Sequence, residues 1–439
     1  MARFPSFVLL GIAIILNPNP GLSIKADHAE ALSAWTEWGP PGGDIRRLEL
    51  SAAYDDEMLA LTAGPPGELY KSGDAGKSWL RIALFHDTLV DFARDARNSD
   101  ILYVLGKNRF YKSSNAGATF SPVATPTGLS MKNGGRLAVS PADSAVFLAA
   151  TLRIDASRQC LAILKSKDGG SAWTTVKIDE NAEESHVRDL VISGRNPKTI
   201  YSAGYVIFSG DEDRHNRVLK SENGGVTWNQ VSVPLFSDYE TFSTSPTAIA
   251  IDPQDPIRVF IAHEKGVVRS ADGGKSWSVH QAPRAFNAGS IAVDPSDGKA
   301  LFAQSANIRD DRGCYRSADG GITWTKSPNG VYGAGRCIVI RGTRVFLGSS
   351  AGILRSVNGG RLYKPSHTGI QASRITALAA SPSAPSAIYA GVGDYSLFSM
   401  STLPGAAWVQ SADFYRCEGV LSIAVSRSDP NKLFVLAGG

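Results

Sequence analysis

The chain has 439 residues, with 45 Lys and Arg against 41 Asp and Glu, 44 Gly and 23 Pro. A formal charge of +4 and the lack of any long basic run argue against a nucleic-acid groove. The length admits a large core or several units.

The N-terminus carries Arg3, a ten-residue apolar run from Phe7 to Leu16, and then a polar, Pro-rich stretch. This is the layout of an export signal, and the run falls short of the roughly 20 residues that span a bilayer. Cleavage is expected after Ser23 or Ala31, so residues 1–31 read as signal and short leader, residues 32–439 as the repeat-built propeller domain, and the location as secreted or periplasmic. No later run is long enough for a membrane anchor. Cys160, Cys314, Cys337 and Cys417 are far apart and lack zinc-type spacing, so no metal or other cofactor is expected. An exported chain could pair its cysteines. Cys314 and Cys337 are the nearest candidates, with single buried thiols as the equal alternative.

An octapeptide recurs along the chain: SGDAGKSW (72–79), SSNAGATF (113–120), SKDGGSAW (166–173), SENGGVTW (221–228), SADGGKSW (270–277), SADGGITW (317–324) and SVNGGRLY (356–363). Before each copy lies a short alternating strand such as GVVRS. Upstream of that lie two apolar runs split by Asp-Pro or Ser-Pro turns, as in TAIAIDPQDPIRVFIAH. One unit therefore reads as four short antiparallel strands with the octapeptide between the third and fourth. Such a sheet cannot cover both faces alone. A repeat of 40–50 residues with four strands points to an all-β propeller of seven to eight four-stranded blades.

The third position of the octapeptide is acidic in Asp74, Asp168, Asp272 and Asp319, but amide in Asn115, Asn223 and Asn358. An amide can accept the same turn hydrogen bonds but cannot transfer a proton, which excludes an acid–base role common to all copies. The closing Trp79, Trp173, Trp228, Trp277 and Trp324 are expected to bury their rings between blades. The motif is thus expected to be structural.

The pattern Ser-x-Asp-x-Gly-x-Ser/Thr-Trp resembles the Asp-box, or bacterial neuraminidase repeat, of sialidases, xyloglucanases, sortilin ectodomains and photosystem II assembly-factor-like propellers. The resemblance covers nearly all of residues 43–410. It implies the fold, while the family includes both enzymes and non-enzymes. The Arg-Ile-Pro segment of sialidases has its nearest counterpart in Arg81-Ile82, which is followed by Ala83 and sits after the box.

An eighth, degenerate unit spans 375–400 and ends at Trp408, and a ninth begins at 419. The final half-unit, 417–439, is expected either to be cut short or to close the ring, with AWTEW (34–38) as a candidate strand beside it. Function is expected on the face opposite the octapeptides. There Arg46, Arg188 and Arg336 take one equivalent position at the strand-one entries, with Arg47, Arg136, Asp91 and Asp189 beside them. Such a cluster suits an acidic group of a protein or polysaccharide ligand, and a non-catalytic binding scaffold is the leading expectation. The alternative is a glycoside hydrolase of xyloglucanase or sialidase type, whose carboxylates would come from Asp211, Asp213, Asp310 and Asp311. Serine-hydrolase and zinc-protease motifs are lacking.

Overall fold

The computed structural model describes residues 42–211, 213–234, 245–263, 266–281, 288–306, 313–327, 334–370, 375–380, 387–392, 396–401, 408–413, 420–425 and 433–437. These residues form strands and turns, with no α-helix among them. Each repeat becomes an antiparallel meander in sequence order. The first runs Ile45–Leu50, Met58–Thr62, Gly67–Ser72 and Leu80–Phe85, and the octapeptide turn joins its third strand to its fourth. The same order recurs within 89–123, 246–281, 288–326 and 335–365.

The third and fourth units depart from the expected separation into blades. The strand Thr174–Ile192 is continuous, serving first as the outermost strand of the third sheet and then as the innermost strand of the fourth. Ala182 marks the handover, pairing with both Gln159 and Phe208. The third and fourth sheets consequently form one hydrogen-bonded sheet of eight strands.

The core is distributed over the seams between sheets. Leu61, Phe92 and Val104 fill the first seam, Leu105, Leu137 and Leu148 the second, and Phe147, Ile163 and Leu190 the third. Tyr201, Ile249 and Ile261 then fill the fourth, Phe260, Ile291 and Tyr315 the fifth, and Phe302, Ile338 and Leu354 the sixth. A seventh cluster joins the first sheet to the seventh, with Leu48, Met58 and Trp79 against Phe346, Ile353 and Ile370. Polar contacts reinforce that seam. Gly42 N–H donates to Ile370 O at 3.0 Å and Trp79 Nε1–H to Ser366 O at 2.8 Å. Arg344 pairs with Asp56 at 2.8 Å. Trp173 makes the matching bond to Ala124 O, at 3.1 Å, in the second seam, so the closing seam shares that device with one inside the ring. The innermost strands are neighbours in cyclic order, from Ile45–Leu50 through Gly335–Arg341 and back.

Seven sheets therefore complete the ring, within the seven to eight expected. The eighth, Ile375–Ala380 to Val409–Asp413, packs on the pair Val420–Val425 and Leu433–Ala437, with Leu397, Val420 and Ile423 between them. The seam beside the seventh sheet is filled by the first sheet. Residues 1–31 and AWTEW lie outside the described residues.

Cys160, Cys314 and Cys337 are buried thiols outside any disulfide, the alternative to a pairing of Cys314 with Cys337. The Cys314 sulfur accepts a hydrogen bond from the Tyr363 hydroxyl at 3.3 Å, and burial raises its pKa to about 12. Cys417 lies outside the described residues.

Candidate ligand site at the channel mouth

A bulge recurs where the innermost strands enter the ring. It skips Arg46 between Ile45 and Arg47, Arg188 between Val187 and Asp189, and Arg336 between Gly335 and Cys337. A bulge leaves one residue out of the ladder and re-aims its side chain. That is the local reason why Arg46, Arg188 and Arg336 share a position. All three line one cavity of about 670 Å³ to which every ring sheet contributes.

The next residue along alternates in sign over the first four sheets: Arg47, Asp91, Arg136, Asp189. Both carboxylates are buried, at 2% and 8% exposure, and pinned by main-chain donors. Asp91 accepts the N–H of Phe92 at 2.9 Å and of Leu137 at 3.0 Å, and Arg47 Nε lies 3.5 Å away. Asp189 accepts the N–H of Leu190 at 2.9 Å and of Ile249 at 2.7 Å. Each carboxylate thus ties its own strand to that of the next sheet. Burial nonetheless raises the Asp189 pKa, against the opposing pull of Arg136 and these N–H groups.

The cations outnumber these carboxylates. The cavity lining also includes Lys107 and Lys132, making seven Lys and Arg against two Asp. Asp44 is shared between Arg46 at 2.7 Å and Arg336 at 3.3 Å. Burial lowers the Arg46 pKa, Asp44 works against this, and the like charges of Arg336 and Arg136 lower it further. Crowded cations of this kind favour an incoming anion. On the far wall, His186 stacks on Tyr205 with centroids 4.4 Å apart, and Arg188 lies 5.3 Å from the same ring. Burial holds the His186 pKa down, opposed by Glu184 and aided by Arg188 and Arg214.

Sequence reasoning brought Arg46, Arg188 and Arg336 together but missed Lys107, Lys132, His186 and Tyr205. Lys107 lies in the hairpin between the second and third strands of its sheet, on the face already singled out. Asp211 and Asp213 are not part of the cavity lining. Asp211 accepts a hydrogen bond from the Asp213 N–H at 2.9 Å and pairs with His215 at 2.7 Å, contacts that lower its pKa. A general acid needs the opposite shift. Asp310 and Asp311 lie outside the described residues. Among the described residues, no group of three or more His, Cys, Asp or Glu is arranged to hold a metal ion.

The octapeptides occupy the other ends of the sheets. In SADGGKSW the Ser270 hydroxyl donates to Asp272 at 2.8 Å and accepts the Gly274 N–H at 2.7 Å. Asp272 accepts the Ser276 N–H at 2.9 Å and also its hydroxyl. Asn115 keeps the N–H bond, from Thr119 at 2.9 Å, and donates its amide to the Thr119 hydroxyl at 2.8 Å. The turn thus closes with either residue.

Ring, turns and seams together define a β-propeller whose repeats resemble the Asp-box. Comparison with known proteins agrees. The family model described as "Sortilin, neurotensin receptor 3" matches residues 67–202. No curated protein matches the chain. Among solved structures, the chain is similar to the GH74 xyloglucanase from Xanthomonas campestris, at 17% identity and TM-score 0.62, covering 89% of this chain and 70% of that one. It is also similar to YCF48 from Cyanidioschyzon merolae, at 14% identity and TM-score 0.50, covering 73% and 97%. At these identities the likeness is one of fold.

Proposed function

We propose that this propeller is a non-catalytic, exported binding scaffold that grips an acidic group of a protein or glycan ligand at the channel mouth. Arg46, Arg188 and Arg336 are the ligand-binding residues. The observation carrying this reading is the charge imbalance of the mouth, whose only two lining carboxylates among the described residues are already tied to main-chain N–H groups. Pinned carboxylates are poor candidates for glycosidic acid and nucleophile, whereas guanidinium groups pair readily with carboxylate or sulfate oxygens.

Calorimetric titration with N-acetylglutamate and with glucuronate tests the proposal. Changing Arg46, Arg188 and Arg336 together to Gln is expected to weaken carboxylate binding by about tenfold or more, with no turnover of xyloglucan or sialosides. Unchanged binding would refute the arginine assignment. Turnover abolished by Asp211→Asn or Asp310→Asn would establish the hydrolase alternative instead.

A further inference from the structure

A second cavity, of about 590 Å³, lies over the third sheet beside the mouth. Its walls include the short strand Leu129–Ser130 and the hairpin from Arg153 to Gln159, which the eight-residue strands Val146–Arg153 and Gln159–Ser166 carry. Lys107, Lys132 and Asn133 line both cavities, so the two adjoin across these residues. The groove adds Arg153 and Arg158 as cations against Asp155 and Glu183. Asp155 and Arg158 largely cancel each other, which leaves Arg153, with Lys107 and Lys132 at the border, against Glu183. The Asp155 carboxylate accepts the N–H groups of Ser157 at 3.0 Å and Arg158 at 2.8 Å, and pairs with the Arg158 guanidinium at 2.6 Å.

Each cavity is of the size that holds a compact ligand. Together they form a bent basic track, which suits a chain bearing anionic groups at intervals better than one isolated anion. Among the described residues, the lining of the groove contains no aromatic ring to offer a flat apolar face for a sugar ring. Its neutral polar side chains are hydroxyls and amides, among them Asn108, Ser130 and Gln159, which match the paired donors and acceptors of a peptide backbone. We propose that the ligand is an acidic peptide segment that places one carboxylate among the mouth arginines and a second in the groove beside Arg153. This rests on the mouth being an anion site.

The test measures binding of hexaglutamate, N-acetylglutamate and hexagalacturonate to the whole chain and to Arg153→Gln, Ser130→Asp and Arg188→Gln. Hexaglutamate is expected to bind more tightly than N-acetylglutamate. Arg153→Gln and Ser130→Asp should each weaken hexaglutamate about fivefold to tenfold, the weight of one partly desolvated charge pair, and leave N-acetylglutamate unchanged. Arg188→Gln should weaken both. Unaltered melting temperatures establish that the variants fold. If N-acetylglutamate responds to Arg188→Gln but hexaglutamate binds no more tightly and ignores both groove variants, the track is overturned while the mouth site stands. If hexagalacturonate binds more tightly than hexaglutamate, the peptide class is overturned. If no anion binds, both readings fall.

Discussion

Ser270, Asp272 and Gly274 divide the work of one turn, while Lys220 on the preceding sheet secures it from outside. The Lys220 ammonium donates to Gly273 O at 2.8 Å and lies 5.8 Å from the Tyr201 ring centroid. Lys165 does the same for Gly224 O at 2.6 Å, over Phe147. The basic residue before each box serine was visible in the sequence, but its partner sits on another repeat, so spacing alone could not reveal its role. At Asp272, bonding from the Ser276 hydroxyl, and then from its N–H, lowers the carboxyl pKa to about 2, against about 3.9 in an unfolded chain. This contribution is present above about pH 4 and is lost as the pH falls through 2. Asp272→Asn should therefore be slightly less stable than the parent at pH 7 and converge with it near pH 2, read by thermal melts across that range. Trp277→Ala, which strips a half-buried ring from the fourth seam, should cost about 3 kcal/mol and exceed it at pH 7.

At the scale of the sheets, an aromatic on many second strands covers a box glycine of the next sheet. Phe302 faces Gly360, Phe260 faces Gly321, and Phe346 of the seventh sheet faces Gly76 of the first. Adjacent glycines separate strain from contact. A Cβ on Gly359, at φ 66°, would meet nothing within 4 Å, whereas one on Gly360, at φ 77°, would lie 2.5 Å from the Phe302 ring. Gly359→Ala should cost about 1–2 kcal/mol, the left-handed penalty alone. Gly360→Ala should cost clearly more, as measured by urea unfolding. Equal losses would mean that the seam yields freely. Four strands per repeat and the place of the octapeptide were legible, because period-two patterning and turn residues are local signals. The merging of the third and fourth sheets through Thr174–Ile192 was not, since Asp179 to Ser185 reads as a charged loop and becomes strand only by pairing on both sides.

For the whole molecule, the repeat count left open whether the ring held seven or eight members. That choice depends on which sheet meets the first, a contact between residues about 290 apart that no local pattern encodes. The equivalence of Arg46, Arg188 and Arg336 was legible because repeats align. Their lysine companions were not, because loop lengths differ between repeats. Seven closed seams imply that residues 42–370 contain a complete folding unit, while Leu421 and Leu436 of the outer strands are each more than half exposed. A chain of residues 42–370 should unfold in one cooperative transition and resist aggregation better than the parent, measured by calorimetry and light scattering. The most direct test links the ends that Gly42 and Ile370 bring together and opens the ring elsewhere. A circular permutant of 42–370, joined from 370 to 42 and cut in the turn at Thr125, should melt in a single transition close to that of the uncut unit. A permutant that fails to fold, while the unpermuted 42–370 chain folds, would contradict closure of the first sheet on the seventh.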